Sequence, residues 1–175
     1  SLTPASNVRT GDSVQVSWVV ENRGVIPASG TWNDRIVVRN LDTGKVVSNV
    51  SVPYDAASQG VIGSNESRTL SAQIQLPPGE AAAGRLAFIV MTDADNVVRE
   101  SNASASGESN NAASAEMTVA LAPYADLTVE GLTLTPPGNY QPGQTVDVAW
   151  TVANRGNAAT AQAWSERLEV RNLST

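Results

Sequence analysis

The feature that most constrains this chain is an internal repeat. Residues 2–43 align with residues 134–175 at a constant offset of 132 positions and without a gap. The two segments are identical at 19 of 42 positions, whereas unrelated sequences would match at about two or three. A period this long is that of a domain, not of a solenoid unit of about 20–45 residues. The four tryptophans form two equivalent pairs, Trp18 with Trp150 and Trp32 with Trp164.

The repeat predicts similar domains joined end to end. The first repeat is predicted at residues 1–123 and lacks most of its opening strand, and the opening strands of the next repeat are predicted at 124–175. The Pro-containing segment 121–127 is the predicted junction, because proline favours extended and fairly stiff chain. A second division is also open: one completed sandwich at 45–175, with residues 1–44 belonging to a preceding unit. The last strands would alternatively swap into a neighbouring molecule.

Alternating apolar and polar residues predict β-strands throughout the chain. Residues 13–21 place Val14, Val16, Trp18 and Val20 on one face, and residues 145–153 repeat the pattern. No amphipathic helix is evident. The sequence therefore predicts an all-β fold: an Ig-like antiparallel β-sandwich repeat with a partial second repeat. Further strands are predicted at 34–40, 45–52, 67–76, 85–92, 96–100, 115–121 and 126–135.

Composition excludes several kinds of chemistry. The chain has no Cys and no His, which removes thiol nucleophiles, disulfides and imidazole acid–base catalysis. Its net charge of −6 argues against binding nucleic acid or anionic membrane surfaces. No segment approaches the roughly 20 apolar residues that cross a bilayer, so no direct membrane insertion is predicted. We expect a protein that is not an enzyme.

The tryptophans are predicted mainly as core residues. Trp18 and Trp150 lie on the apolar faces of their strands. Trp32 and Trp164 follow loops, which makes them the better candidates for a sugar-stacking platform, but packing is favoured for them too.

Each copy also has an acid beside an arginine. The pairs are Asp34 with Arg35 and Glu166 with Arg167. A catalytic carboxylate pair requires two acids in one site, and each copy offers one acid next to a cation. The sequence therefore predicts a surface ion pair in each copy.

An acidic turn is the nearest approach to a metal motif. Asp93, Asp95 and Asn96 fall within four residues, and carboxylate and carbonyl oxygens are the ligands that Ca²⁺ takes. Asp and Asn also occur in turns because they hydrogen-bond their own backbone, so a plain turn is the competing interpretation. Asp126, at the predicted junction, is a further candidate calcium ligand.

One motif occurs in both copies. It reads G-x-x-V-x-V-x-W-x-V-x-N-x-G, is followed by W-x-D/E-R, and resembles the cell-adhesion-related domain of bacteria, an Ig-like module. The stretch that begins TDADNVVRE, with its later Asn-Asn, resembles the end of the same domain.

The resemblance implies an extracellular, adhesion-associated role at the bacterial cell surface, without catalysis. Long runs of such Cys-free repeats resemble the extender regions of large RTX-type adhesins, which often take calcium between domains. The expected partners are then neighbouring repeats of the same chain. The leading hypothesis is a non-catalytic extender, or spacer, repeat of a large surface adhesin. The alternative is a carbohydrate- or protein-binding β-sandwich module of a secreted protein.

Overall fold

A computed structural model describes residues 1–100 and 107–173 of the chain. It divides into two compact units, Ser1–Ala122 and Pro123–Thr175, which are described separately. Strands from residues 1–44 are hydrogen-bonded to later strands of the first unit. Both divisions of the chain, 1–123 with 124–175 and the alternative unit 45–175, stay predictions.

The first unit is a sandwich of two sheets. One sheet has the order β1-β3-β6 and the other β2-β8-β7-β4-β5. Neighbouring strands are antiparallel except β2 and β8, which are parallel. The strands are β1 (Leu2–Thr3), β2 (Val8–Arg9), β3 (Ser13–Glu21), β4 (Thr31–Asn40), β5 (Val46–Asp55), β6 (Ser67–Gln75), β7 (Gly84–Met91) and β8 (Ala112–Ala120). A four-residue helix, α1 (Ala56–Gln59), and two short 3₁₀ turns, Glu80–Ala82 and Gly107–Ser109, join them.

The core lies between the sheets. Strand side chains alternate between faces, so every second residue is buried along β4 and along β3 from Val14 to Trp18. Burying one such Val, Leu, Ile or Phe side chain stabilises the fold by about 1.5–3 kcal/mol. The prediction of an all-β sandwich is confirmed. Its largest fully buried apolar side chains are Tyr54, Phe88, Ile36, Ile62, Ile74, Leu76, Leu86, Val8, Val14, Val38 and Val119.

One predicted strand, at 96–100, is wrong. After β7 the chain turns, and both Asp93 and Asn96 adopt left-handed backbone angles, with φ of 46° and 51°. A left-handed residue breaks an extended strand, and Asp and Asn tolerate it better than most residues. The N–H groups of Val97 and Val98 bond back to the Asp93 carboxylate, so these two are not available to a sheet.

The second unit contains a two-stranded sheet, β9 (Leu127–Thr135) with β10 (Asp147–Asn154). Leu134 lies opposite Val148, which is the register of Leu2 and Val16 in the first unit. No further strand is present among the described residues of this unit. None of the described helices is long and apolar enough to span a membrane.

Candidate functional site

A buried carboxylate links the two sheets of the first unit. Asp34 of β4 has no exposed surface. Its Oδ2 accepts a hydrogen bond from Trp18 Nε1 at 2.7 Å, across the core from β3. Its Oδ1 accepts from Trp32 Nε1 at 3.1 Å and from the Asp93 N–H at 3.2 Å. We call these four residues the Asp34 cluster.

The predicted surface ion pair of Asp34 with Arg35 is wrong. The alternation along β4 turns Asp34 inward with Ile36, while Arg35 points outward. Arg35 instead pairs with Asp95, with 3.2 Å between Nη2 and Oδ1. The signal for a buried acid was present in the sequence, because Trp32, Asp34 and Ile36 share one face of a period-two pattern. The surface ion pair was predicted instead because Asp34 is next to an arginine in the sequence.

The environment of Asp34 favours its neutral form. Burial raises the pKa of the Asp34 carboxyl above its ordinary value of 3.8, and the hydrogen bonds from the two indoles and the Asp93 N–H partly oppose that rise. The second unit has the equivalent contact, from Trp150 Nε1 to Glu166 Oε2 at 2.5 Å. The Trp–acid hydrogen bond is therefore a feature of both copies.

Trp32 is a core residue and not a surface platform. It is 4% exposed, and its ring stacks on Tyr54 with 4.3 Å between centroids. Tyr54 in turn donates from its hydroxyl to the Gly60 carbonyl at 2.7 Å. The preferred packing interpretation is confirmed for Trp32, in place of the sugar-stacking alternative. Trp164 in the second unit is 53% exposed.

The acidic turn is closed by its own side chains. Asp93 is buried, and its two carboxylate oxygens accept the N–H groups of Val97 at 3.0 Å and Val98 at 2.7 Å. Asp95 accepts from the Asn33 amide at 3.1 Å and from the Arg35 guanidinium. The turn thus ends β7 and positions the Asp93 N–H to donate to Asp34.

This arrangement does not supply a calcium ligand set as it stands. Ca²⁺ takes six to eight oxygen ligands, and no group of three or more acidic, His or Cys residues gathers in the described part of the chain. Asp95 already pairs with the Arg35 guanidinium. Asp126 belongs to the second unit. Calcium binding at Asp93, Asp95, Asn96 or Asp126 stays a prediction.

A turn of the second unit holds the segment that leads into its sheet. We call Pro123–Asp126 the lead-in segment and Asn154–Ala158 the clasp turn. The Asp126 N–H donates to Asn154 Oδ1 at 3.0 Å, and the Arg155 N–H donates to the Asp126 carbonyl at 2.7 Å. The Tyr124 N–H donates to Asn157 Oδ1 and the Tyr124 carbonyl accepts from the Ala158 N–H, both at 2.9 Å.

Only a glycine fits beneath the lead-in segment. A Cβ added to Gly156 would lie 2.3 Å from the Tyr124 carbonyl oxygen and 2.6 Å from the Asp126 nitrogen. Neither backbone atom can move without breaking the hydrogen bonds above. The Asn-Arg-Gly triplet, predicted only as a turn, therefore also positions the incoming chain.

The chain is similar to a known protein family and to a solved structure. The family described as CARDB matches residues 1–115. No curated protein matches the chain. Among solved structures, the CARDB domain of the PF1109 protein from Pyrococcus furiosus, in complex with di-metal ions, is similar with a TM-score of 0.45 and 22% identity. The match covers 66% of this chain and 84% of that one.

Proposed function

This chain belongs to the CARDB family, and we propose that its repeats are structural extenders of a large bacterial surface adhesin. Membership in an adhesion-related family fits a non-catalytic module. The extender role and the location at the cell surface are our proposal. It is supported by the repeat itself, because a second copy begins directly after the first and repeats its strand register.

The observation that carries the proposal is the parallel pairing of β2 with β8. Val8 lies opposite Val119. Beside this pair the Thr10 N–H donates to the Ala120 carbonyl at 2.9 Å, and the Ala122 N–H donates to Thr10 Oγ1 at 3.0 Å. The two strands lie near opposite ends of the unit in sequence. Because they are parallel, tension between the unit's ends slides them in opposite directions and loads their hydrogen bonds together. Such a shear geometry suits a spacer under tension.

Single-molecule pulling on the full chain, tethered by its two ends, tests this proposal. We expect the first unit to unfold in one discrete step that releases roughly 400 Å of chain, since about 120 residues each span about 3.3–3.6 Å when extended. A gradual extension without a discrete step would contradict a role in bearing tension.

Thr10→Val is the variant matched to that experiment. It keeps the shape of the side chain and removes the acceptor of the Ala122 N–H, which costs about 1 kcal/mol. If the bond is broken in the transition state for unfolding, forced unfolding becomes roughly fivefold faster. Thr118→Val is the control, because Thr118 is exposed on β8, the partner strand of β2. Equal unfolding rates for both variants would remove the β2–β8 contact from the mechanism.

The carbohydrate-binding alternative finds less support. Its best candidate in the first unit, Trp32, is buried. Trp164 is exposed, but the described part of its unit has no strands equivalent to β5 and β6, whose Tyr54 and Leu70 pack around Trp32 in the first unit. A glycan array with a clear hit that is lost on Trp164→Ala would favour the alternative.

The prediction of calcium binding is tested by titrating calcium into the full chain, with an EDTA-treated sample as the control. The calcium prediction requires a rise in melting temperature that disappears in Asp93→Asn or Asp95→Asn. Magnesium at the same ionic strength controls for general screening of the acidic surface. An unchanged melting temperature up to millimolar calcium would end the prediction, and the extender proposal would stand without it.

A further inference from the structure

The outer edge of β6 is open along the whole strand. β6 pairs with β3 through all nine of its residues, from Ser67 opposite Glu21 to Gln75 opposite Ser13, without a register shift. It is the last strand of its sheet. The chain on either side of β6 is described as far as β5 and β7, and no described residue pairs with this edge.

Hydrogen bonds at the two ends of β6 show which backbone groups face outward. The Leu76 N–H donates to the Asp12 carbonyl at 2.9 Å. The Glu66 carbonyl accepts from the Asn22 N–H at 2.9 Å. Because these groups alternate along an antiparallel strand, the even-numbered residues turn their N–H and C=O groups toward β3. The outward N–H and C=O groups are therefore those of Ser67, Thr69, Ser71, Gln73 and Gln75.

The outer edge of β5, the last strand of the other sheet, differs from this edge in its protection. Pro53 lies within β5, and the pairing of β5 with β4 shifts register between Val38 and Arg39. Prolines, bulges and charges are the devices that keep an edge strand from pairing with another chain. β6 has no proline and no bulge, and its five exposed side chains are uncharged. It therefore offers an unprotected edge about 30 Å long.

The open edge is complementary to a second copy of itself. An antiparallel pair centred on Ser71 places Ser71 opposite its own counterpart and Thr69 opposite Gln73. Each outward N–H then has a carbonyl acceptor in the other copy, because the odd-numbered residues of both strands meet. The same register keeps the two faces aligned, with exposed residues opposite exposed ones and half-buried Leu70 opposite half-buried Ala72.

Charge and apolar surface favour the same register. Leu70 and Ala72 pack against the core and remain half-buried, so their pairing removes further apolar surface from water. Arg68 is the one charged residue of β6. Its guanidinium donates to the Val61 carbonyl at 3.3 Å, and the register places it opposite Ile74. Like charges directly opposite each other destabilise a strand pair, and this pairing contains none.

We propose that β6 pairs with β6 of a second copy of this chain, antiparallel and with a two-fold axis at Ser71. The three-stranded sheets of the two copies then form one continuous sheet. The interface is isologous, because the same edge is used by both copies. Main-chain hydrogen bonds supply the affinity, as in other cases of strand addition. The inference concerns the first unit alone and does not depend on the extender role.

Sedimentation equilibrium of the full chain tests this pairing. We expect a reversible dimer whose fraction rises toward about 1 mM chain, because a single strand pair lies at the small and transient end of protein interfaces. Ser71→Lys and Ser71→Asp each place like charges at the two-fold axis, so each variant alone should associate roughly tenfold more weakly. An equimolar mixture of the two should restore the dimer. Val19→Lys is the control, because Val19 is 63% exposed on β3 and lies away from the edge.

Cysteine cross-linking in air measures the register, since the chain contains no Cys. Residues opposite each other in a hydrogen-bonded antiparallel pair have Cα atoms about 5.5 Å apart, within the range of a disulfide. Ser71→Cys should therefore form a covalent dimer. A mixture of Thr69→Cys with Gln73→Cys should form the mixed dimer, whereas either of these two alone should not. Val19→Cys is the matched control.

Four outcomes would overturn the proposal. The chain could stay monomeric up to about 1 mM. The dimer could be unchanged in both charge variants of Ser71, which would place the contact on another surface. It could be lost in Val19→Lys, which would assign association to the exposed face of the sheet. Finally, Thr69→Cys could cross-link with itself, which the register centred on Ser71 does not allow.

Discussion

Replacing Trp32 with alanine is expected to lower the free energy of unfolding of the first unit by about 3–5 kcal/mol. The indole is buried, stacks on Tyr54 and donates to Asp34. Its removal leaves a cavity between the sheets and takes one donor from a buried carboxyl group. Urea denaturation followed by circular dichroism measures the change as a lower midpoint for the transition of the first unit.

The repeat provides a matched control for this experiment. Trp164 occupies the equivalent position and is half exposed, so Trp164→Ala should leave the first unit's transition within about 0.5 kcal/mol of the parent, as exposed substitutions do. If Trp32→Ala costs less than about 1 kcal/mol, the indole is not a core residue, and the surface-platform interpretation would return.

Asp34→Ala is expected to cost about 2–4 kcal/mol. The indole N–H groups of Trp18 and Trp32 and the Asp93 N–H would each lose an acceptor, and a buried donor without a partner costs about 1–3 kcal/mol. Removing a buried carboxyl group offsets part of that loss, because its own desolvation cost disappears. The same denaturation experiment measures the difference.

Asp95→Ala is the control for Asp34→Ala. Asp95 makes a half-exposed ion pair with Arg35, and such pairs contribute about 0–1 kcal/mol. The losses in free energy of unfolding of the two variants should thus differ by at least about 1 kcal/mol. Similar losses for both variants would mean that Asp34 acts as a surface charge, as its neighbour in sequence suggested.

The pH dependence of the same comparison checks the state of Asp34. Because burial raises the pKa of this carboxyl above 3.8, the folded state holds its proton at a pH where the unfolded chain has released it. Its contribution to stability is complete below 3.8 and is lost as the pH rises through the raised pKa. The parent should therefore gain stability relative to Asp34→Asn as the pH falls through that window. A flat difference, or one of opposite sign, would contradict the raised pKa.

Much of the fold follows from patterns that act locally. The period-two alternation predicted β3, β5, β6 and β7 to within a few residues, because a strand with one buried face needs that alternation. The same rule failed at 96–100, where two left-handed residues interrupt the chain. The sequence alone does not show whether the N–H groups after an acidic turn bond to the turn itself or to a neighbouring strand.

The roles of the acidic residues were harder to predict from the sequence. Arg35 adjoins Asp34 in sequence, yet the alternation of the strand sends the two side chains to opposite faces. Asp95 lies sixty residues from Arg35 and is its actual partner. Likewise, the Asn-Arg-Gly triplet predicted a turn, but its hold on the lead-in segment depends on backbone groups that carry no side-chain signature.

By itself the sequence determined the 132-residue period, the all-β class and the absence of Cys and His, because identity at fixed spacing, alternation and composition need no knowledge of neighbours in space. Only the tertiary structure decided which acid is buried, which arginine each carboxylate meets and what rests on each turn. Those outcomes depend on which strands lie side by side, and strand pairing brings together residues that are far apart in the chain. The extender proposal rests on the parallel contact of β2 with β8, which joins residues 8 and 119. Only the tertiary structure could show this contact.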